Sequence, residues 1–221
     1  MITFFPDPYT EELLYSVIAR YQERVMVINR KAALLDLFGT ANALAVINLP
    51  SHLGALVSNL PPGNPYSPEI LIKRHTLLPY FAPFLEHDQL ESVIEDMIGE
   101  RGPAVAGRAG IMASTVKDPA TLQFCLRCVH ADRSQYGEAF WHRVHQLPGV
   151  CFCPHHQETM LFNSSVSTHN VRTCIPGIAL MLPVFSRSPG SFYDRPGSAT
   201  TLPNIQRSYH LSRCCICDNE E

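Results

Sequence analysis

The spacing of apolar positions predicts a chain built mainly from short helices. Apolar residues recur every three or four positions through residues 11–24, behind a candidate N-cap at Thr10. The two glutamates that follow Thr10 would lie in the first turn, where the helix dipole favours carboxylates. Similar spacing predicts a second helix over residues 30–38 and a third over residues 41–46. Three short helices in this region permit a helix-turn-helix unit.

Cap signals predict three more helices farther along the chain. Candidate caps are Ser51, Ser67, which precedes a proline suited to the first helical position, and Asp88. The proline-punctuated segment 77–85 is predicted to pack as a connector, and the Gly- and Ala-rich segment 100–120 to form a mobile or partner-ordered loop. The helix after Asp88 carries an acidic stripe, predicted to be solvated, that consists of Glu91, Glu95 and Asp96.

Two half-sites with metal-ligand spacing follow this region. Cys125 and Cys128 form a C-x-x-C pair, and Cys153 and His156 form a C-x-x-H pair. Together they supply four soft or borderline ligands, which is enough for a closed tetrahedral zinc site with a structural role. His156 is preferred to its neighbour His155 because it completes the C-x-x-H spacing. Cys151 and His130 remain alternative ligands, and buried free cysteines with exposed histidines are the competing interpretation.

The segment between the two half-sites is predicted to hold a helix that brings them together. Ser134 is its candidate N-cap, and apolar residues recur at near-helical spacing up to Pro148. A further C-x-x-C pair, Cys214 and Cys217, has no second half-site within the sequence. It could hold a metal between two chains or begin a finger continued beyond Glu221, but a mobile, oxidisable tail is favoured.

Composition change marks the last part of the chain. Between Glu158 and Asp194 there is no acidic residue, while Ser, Pro and Gly are frequent. We therefore predict a mainly α protein with a helical region over 1–120, a zinc-finger region over 121–162 and an irregular tail over 163–221.

Charge and cysteine usage narrow the function classes. The 221 residues carry a net charge of −3, which argues against a general nucleic-acid coat protein. All but three of the 17 basic residues are Arg, which suits forked contacts with phosphate. No export signal or membrane-spanning run is recognised in the sequence, so eight cysteines favour a reducing cytoplasm and metal binding over a disulfide framework.

Basic residues near the predicted helices and the zinc site are candidate contacts to DNA phosphates. They are Arg20, Arg24, Arg30 and Lys31 in the N-terminal helices, and Arg127, Arg133 and Arg143 near the zinc site. A small helical subdomain with a solvated basic edge is the simpler interpretation. An apolar arm at the N-terminus offers candidate partner anchors, with folding back onto its own domain as the alternative. Its anchors are Phe4, Phe5, Pro6 and Tyr9.

Several motifs occur together in a specific order along the chain. They are Phe5-Pro6-Asp7-Pro8-Tyr9-Thr10-Glu11-Glu12-Leu13-Leu14-Tyr15-Ser16, Ile18-Ala19-Arg20, Leu49-Pro50-Ser51-His52-Leu53, His75-Thr76-Leu77 and Tyr136-Gly137-Glu138-Ala139-Phe140-Trp141. With the cysteine and histidine pattern they resemble the TniQ/TnsD family, target-site selectors of bacterial transposons. The resemblance covers about residues 1–162.

This resemblance implies an N-terminal helix-turn-helix region, a zinc-finger region and docking onto the AAA+ ATPase regulator that recruits the transposase. TnsD-type members continue with a long helical region that helps recognise an attachment site. TniQ-type members are short and rely on another target finder, in some systems an RNA-guided complex. Residues 163–221 resemble neither continuation. The expected function is a non-enzymatic adaptor that binds target DNA or a target-finding complex, in the bacterial cytoplasm at the nucleoid and without a membrane partner.

Two other functions compete with the adaptor. A zinc-dependent DNA-binding regulator fits the composition equally well, and only the family-like motifs disfavour it. A zinc enzyme would need an open metal position and a general base, for which Glu138 and His142 are the candidates. Their spacing matches neither the His-Glu-x-x-His motif nor the deaminase signature, and four ligands close the metal.

Overall fold

The computed structural model describes residues 2–26, 30–40, 43, 46–111, 119 and 121–167, with the side chains of Arg30 and of residues 163–167 outside that description. Eight α-helices lie within these ranges. They are α1 (Leu14–Arg24), α2 (Arg30–Phe38), α3 (Leu53–Asn59), α4 (Pro68–His75), α5 (Leu78–Phe81), α6 (His87–Ile98), α7 (Gly102–Arg108) and α8 (Leu126–Tyr136). Short 3-10 helices cover Ala82–Phe84 and Arg143–Gln146, and two strands are β1 (Thr121–Phe124) and β2 (Leu161–Ser167). The mainly α prediction is confirmed.

One hydrophobic core runs from the N-terminal segment to the region around the half-sites. Leu13 and Leu53 are both fully buried in it, and Trp141 is 1% exposed. The indole of Trp141 packs edge-on against Phe124 of β1, with ring centroids 6.3 Å apart. Helices from the first hundred residues and the segment that follows α8 therefore share their apolar interior.

The first helix begins later than the sequence predicts. α1 starts at Leu14, so Thr10 is not its cap, and Glu11 adopts a left-handed φ of +62°. Residues 11–13 instead pair with a distant segment. The amide of Leu13 donates to the carbonyl of Trp141 at 2.9 Å, and the amide of Arg143 donates to the carbonyl of Glu11 at 2.9 Å. Backbone pairing of this kind is incompatible with a helical turn, which is why the prediction for Glu11 and Glu12 is wrong.

Of the candidate caps Ser51, Ser67 and Asp88, only Ser67 caps its helix. The Ser67 hydroxyl accepts a hydrogen bond from the Ile70 amide at 3.3 Å, with Pro68 opening α4. Ser51 is not a cap, because α3 begins after His52, and the Ser51 hydroxyl lies 2.8 Å from Nδ1 of that histidine. α6 begins at His87, so Asp88 lies inside its first turn.

Two surface predictions for this region also change. Asp96 does not belong to a solvated stripe, because it is 3% exposed and pairs with Arg108 at 2.9 Å. Arg108 ends α7, so a helix with buried Val105 lies inside the segment predicted as a loop. Segment 77–85 packs as predicted through α5, although Phe84 is 78% exposed. Ala43 and Val46 are not helical, and residues 41, 42, 44 and 45 lie outside the described residues, as do 112–118 and 120.

The predicted helix over residues 134–147 is wrong. α8 begins directly after Cys125 and ends at Tyr136, and its C-cap Gly137 has a left-handed φ of +82°. A left-handed glycine terminates a helix, and the chain runs without helix up to His142. His142 forms an isolated antiparallel bridge with Glu12, and a single 3-10 turn follows it. The apolar side chains of this segment pack in the core without helical spacing being needed.

β1 and β2 form a two-stranded antiparallel sheet. Phe124 pairs with Leu161 and Gln123 with Phe162, and an irregularity precedes the pairing of Thr121 with Ser167. β2 thus extends five residues into the segment predicted as irregular from residue 163. Residues 168–221, including Cys214 and Cys217, lie outside the described residues. Among the described helices, none has both the length and the apolar character needed to cross a lipid bilayer.

Candidate metal centre and its junction with the N-terminal segment

The structure brings the two half-sites into one cluster. The ligand atoms of Cys125, Cys128, Cys153 and His156 all lie within 4.8 Å of one another. His156 Nδ1 is 3.6 Å from the Cys125 sulfur, 3.3 Å from the Cys128 sulfur and 3.6 Å from the Cys153 sulfur. Tetrahedral zinc with Zn–S bonds of about 2.3 Å has ligand–ligand edges of about 3.8 Å, so these separations fit a zinc ion. Three thiolates and one imidazole are also the donor set that zinc prefers.

The first half-site is built by the junction of β1 and α8. Cys125 occupies the N-cap position of α8 in extended geometry, and Cys128 lies in the first turn. Burial raises the pKa of the Cys125 thiol, and the amides of Cys128 and Arg127, which hydrogen-bond to it, oppose that rise. Burial likewise raises the pKa of the Cys128 thiol. Metal binding must therefore displace protons from these thiols, and the two amides stabilise the thiolate of Cys125 once it forms.

The second half-site is a tight knuckle held by backbone hydrogen bonds. The amide of Gln157 donates to the carbonyl of Cys153 at 2.7 Å, and the amide of Cys153 donates to the carbonyl of Glu158 at 2.8 Å. A bridge between Phe152 and Thr159 closes the surrounding hairpin. This turn places Cys153 and His156 on the same side of the chain, where they face the first half-site.

The alternative ligands lie outside the cluster. His130 is exposed on α8, and His155 is exposed on the knuckle. Cys151 is partly buried and is not among the four residues whose ligand atoms come together. The four residues that come together are therefore the set that the sequence favours.

Sequence reasoning missed a buried histidine beside the cluster. His145 is 1% exposed, and its Nε2 lies 3.5 Å from the Cys153 sulfur and 3.8 Å from the Cys128 sulfur. It belongs to neither half-site motif, so no spacing signal identifies it. The one sequence signal for His145 is that it lies between the two half-sites.

A buried polar network joins the N-terminal segment to the chain that follows α8. Arg20 is 3% exposed, and its guanidinium contacts Glu12 at 2.8 Å and Glu138 at 2.9 Å. Its Cζ also lies 4.0 Å from the centroid of the Tyr9 ring. The Tyr9 hydroxyl donates to Glu138 at 2.8 Å, and Arg24 pairs with the same carboxylate. Although burial opposes it, these partners hold the pKa of Glu138 below its ordinary value.

The candidate anchors of the N-terminal arm do not share one exposed surface. Pro6 is buried, and Phe5 packs against Tyr21 with ring centroids 6.4 Å apart. The rings of Tyr9 and Tyr136 also pack together, with centroids 4.4 Å apart. Phe4, at 43% exposed, is the most accessible of the four anchors. The arm thus folds back on its own protein through most of its apolar residues.

The candidate DNA contacts divide into internal and accessible groups. Arg20 is used in the network above, and Arg143 is 17% exposed with both terminal nitrogens engaged by Glu11 and by the carbonyls of Lys73 and Thr76. Accessible members are Arg24, Lys31 and Arg127, while Arg133 is half-buried and the Arg30 side chain lies outside the description. Arg127 is 62% exposed, with Glu158 at 3.7 Å.

Comparison with known proteins places this arrangement in a family. Residues 3–160 match the family model of TniQ. The chain belongs to the TniQ family. It is also 36% identical over 165 residues to the transposon Tn7 transposition protein TnsD of Escherichia coli. That alignment covers 75% of this chain and 32% of the Tn7 protein, so the chain spans about a third of that relative's length.

The TniQ match covers the structural features described above. It extends from the N-terminal arm to Met160 and includes Arg20, Glu138 and all four cluster residues. The resemblance predicted over residues 1–162 is therefore confirmed. Contacts between residues 11–16 and 141–143 cross the boundary predicted at residue 120. Residues on both sides contribute to one core, and the boundary itself stays a prediction.

Proposed function

We propose that this TniQ-family protein is a non-enzymatic adaptor for transposition target selection. In this role it binds target DNA or a target-finding complex, for example an RNA-guided one. It also recruits the AAA+ ATPase regulator of its transposon. The observation that carries the proposal is the 36% identity to a Tn7 transposition protein across a region that contains the whole metal cluster. Because that relative is much longer, each finer activity needs its own test.

The metal centre supports a scaffold role in this proposal. Three cysteines and one histidine would fill the tetrahedral positions of a bound zinc ion, which would leave no position for a reacting water. Such a metal contributes folding free energy and fixes the orientation of the segments that carry its ligands. The resulting rigid unit is suited to presenting a surface to partners.

The residues that a zinc enzyme would use are engaged elsewhere. Glu138 is bound by Tyr9, Arg20 and Arg24. His142 Nε2 lies 2.8 Å from the Asp132 carboxylate, and its ring stacks on Phe140. These contacts give both residues structural roles, which weighs against the enzyme alternative.

For DNA binding, we propose that the accessible arginines and lysine contact phosphates. Arg24, Lys31 and Arg127 project exposed cationic groups, whereas Arg20 and Arg143 support the fold from inside. Since the net charge is −3, such binding depends on local groups and should weaken steeply with salt. Phosphate contacts of this kind position a protein on DNA without reading its sequence.

A binding experiment tests both halves of the proposal. The zinc-loaded full chain is mixed with its AAA+ regulator and with duplex DNA, separately and together, and complexes are isolated by affinity capture. The adaptor predicts capture of the ATPase and stronger retention when DNA is present. Duplex binding without any ATPase contact would instead support a zinc-dependent DNA-binding regulator.

Matched variants separate DNA contact from general charge. Arg127→Ala should weaken duplex binding about equally for unrelated sequences and lower the salt slope by about one. Arg101→Ala removes an exposed arginine from outside the proposed set and serves as the control. Equal effects of the two substitutions would count against Arg127 as a phosphate contact.

A further inference from the structure

His145 is held rigidly beside the metal cluster. It lies in the 3-10 helix Arg143–Gln146, whose last residue is clamped to β1. The Gln146 amide nitrogen donates to the Gln123 carbonyl at 2.8 Å, and the Gln123 backbone amide donates back to the Gln146 side-chain oxygen at 3.0 Å. Because Gln123 is two residues before Cys125, this double contact fixes the imidazole relative to the first half-site.

The distances place His145 on one edge of the cluster. Its Nε2 approaches the sulfurs of Cys153 and Cys128, which are themselves 3.6 Å apart. His156 differs, because its Nδ1 lies within 3.6 Å of all three sulfurs. The geometry therefore gives the fourth tetrahedral position to His156 and leaves His145 outside, facing the edge between two sulfurs.

The neighbours of His145 hold its ring in this orientation. The His142 ring lies 4.9 Å from it, and the His145 amide donates to the His142 carbonyl at 3.3 Å. His142 is in turn bonded to Asp132, which lies on α8 one turn after Cys128. His142 thus links the His145 imidazole to α8, the helix that carries Cys128.

The negative charge of the three thiolates explains why a hydrogen-bond donor is useful at this position. Three thiolates around a divalent cation leave a net negative charge in a site whose cysteines are all buried. A hydrogen-bond donor aimed at the thiolates reduces that cost, and donors of this type around a metal commonly change its affinity by about 10–100-fold. A shared N–H donor also hinders protonation of the two sulfurs, the step that frees them from a metal.

We propose that His145 is a positioning residue of the metal centre that donates its Nε2–H to the thiolates of Cys128 and Cys153 without ligating the metal. Its effect is to slow metal loss and to hold the two half-sites together. This inference concerns the metal centre itself and does not depend on the partner to which the adaptor binds.

Cobalt substitution and chelator competition test this role. The full chain is loaded with Co²⁺ or Zn²⁺ as wild type, His145→Phe, His145→Gln and His156→Gln. His145→Phe should keep the four-coordinate cobalt absorption but shift the sulfur-to-cobalt charge-transfer band, and should lose zinc to a chelator about 10-fold faster. His145→Gln, which retains an N–H donor, should recover part of that rate.

Two results would overturn the proposal. If His145→Phe changes the cobalt ligand-field bands as His156→Gln does, His145 is a ligand. If band positions and release rate both stay at wild-type values, the hydrogen bond has no effect on the metal. Far-UV circular dichroism of each loaded variant checks that the fold persists.

A second measurement uses only the wild-type protein, so a folding defect of a variant cannot affect it. Nitrogen-15 NMR of the zinc-loaded chain reports the state of each imidazole nitrogen. The proposal predicts a protonated Nε2 for His145 and a metal-bound Nδ1 for His156. An unprotonated or metal-bound Nε2 in His145 would contradict it.

Discussion

Arg20 and Glu12 form an ion pair at 2.8 Å in which the side chains are 3% and 0% exposed. Arg20 also contacts Glu138, which lies 118 positions later in the chain. One guanidinium therefore connects α1 and the segment before it to the chain that follows α8. The candidate metal centre and the N-terminal arm are consequently linked by buried contacts.

Removing the Arg20 side chain should destabilise the protein strongly. At pH 8, where Glu12 is ionised beside Arg20, Arg20→Ala would leave the Glu12 carboxylate buried without its cation, and such uncompensated charges cost about 3–5 kcal/mol of the free energy of unfolding. Chemical denaturation of the zinc-loaded protein measures the change. Arg101→Ala, at an exposed position, should stay within about 0.5 kcal/mol of wild type. Similar small effects of both substitutions would mean that the ion pair contributes little.

Glu12 should give the protein a specific pH dependence. Burial raises the pKa of Glu12 to about 7, although Arg20, the Tyr9 amide and the Ser16 hydroxyl all favour its ionised form. The folded state therefore binds this proton more tightly than the unfolded chain, whose carboxyl titrates near its ordinary 4.5. Protonated Glu12 therefore contributes fully to the free energy of unfolding below about pH 4.5, and this contribution is lost as the pH rises through about 7.

Glu12→Gln isolates this effect from the pH dependence of metal binding. The free energy of unfolding of wild type minus that of Glu12→Gln should fall as the pH rises from 5 to 8. Both proteins are kept saturated with zinc throughout the titration. A difference that is constant or grows with pH would show that Glu12 is already ionised in the folded protein at pH 5.

Adjacent histidines provide a matched test of the ligand set. His156→Gln should lower zinc content and the melting temperature, because His156 contacts all three cysteine sulfurs. His155→Gln alters the exposed neighbour and should leave both quantities unchanged. Metal analysis and calorimetry measure them. The reverse order of effects would reassign the fourth ligand.

Loss of Cys125 should unfold the metal-bound segment. Structural zinc sites in finger peptides contribute apparent binding free energies of about 10–16 kcal/mol, and this free energy is also folding free energy. Cys125→Ser should therefore contain little zinc, and proteolysis should cleave first within residues 124–156. Wild-type zinc content and melting in this variant would contradict a structural role for the metal.

Zinc removal should also release the N-terminal arm. Tyr9 packs on Tyr136, the last residue of α8, and its hydroxyl is bonded to Glu138. Hydrogen exchange should therefore become faster in residues 7–12 when a chelator removes zinc, while the amides of α6 stay protected. An arm that keeps its protection after residues 126–136 have lost theirs would show that it is held independently of the metal.

Local signals predicted the parts of the fold that local physics determines. The Ser67 cap and the two half-site spacings are both contained within four residues, and both appear in the structure as the sequence indicates. The predicted helix after Ser134 failed because Gly137 adopts a left-handed conformation that helical spacing does not reveal.

Long-range pairing accounts for the other misses. The sequence predicts Glu12 as a first-turn carboxylate of a helix, but it forms a bridge with His142, 130 positions later. Arg20 is likewise predicted as a surface cation for phosphate contact. Its two carboxylate partners come from different parts of the chain, so local sequence does not reveal them. His145 carries no motif, and only the folded geometry brings its ring to the cysteine sulfurs.

The most direct test of the adaptor is where its transposon inserts. Insertion sites are sequenced in cells that carry the remaining components of the cognate transposon, with the wild-type chain, with Cys128→Ser or without the chain. Target selection predicts insertions concentrated at defined positions with the wild-type chain, and scattered or absent insertions in the other two cases. An identical distribution of insertions in all three would contradict the proposed function.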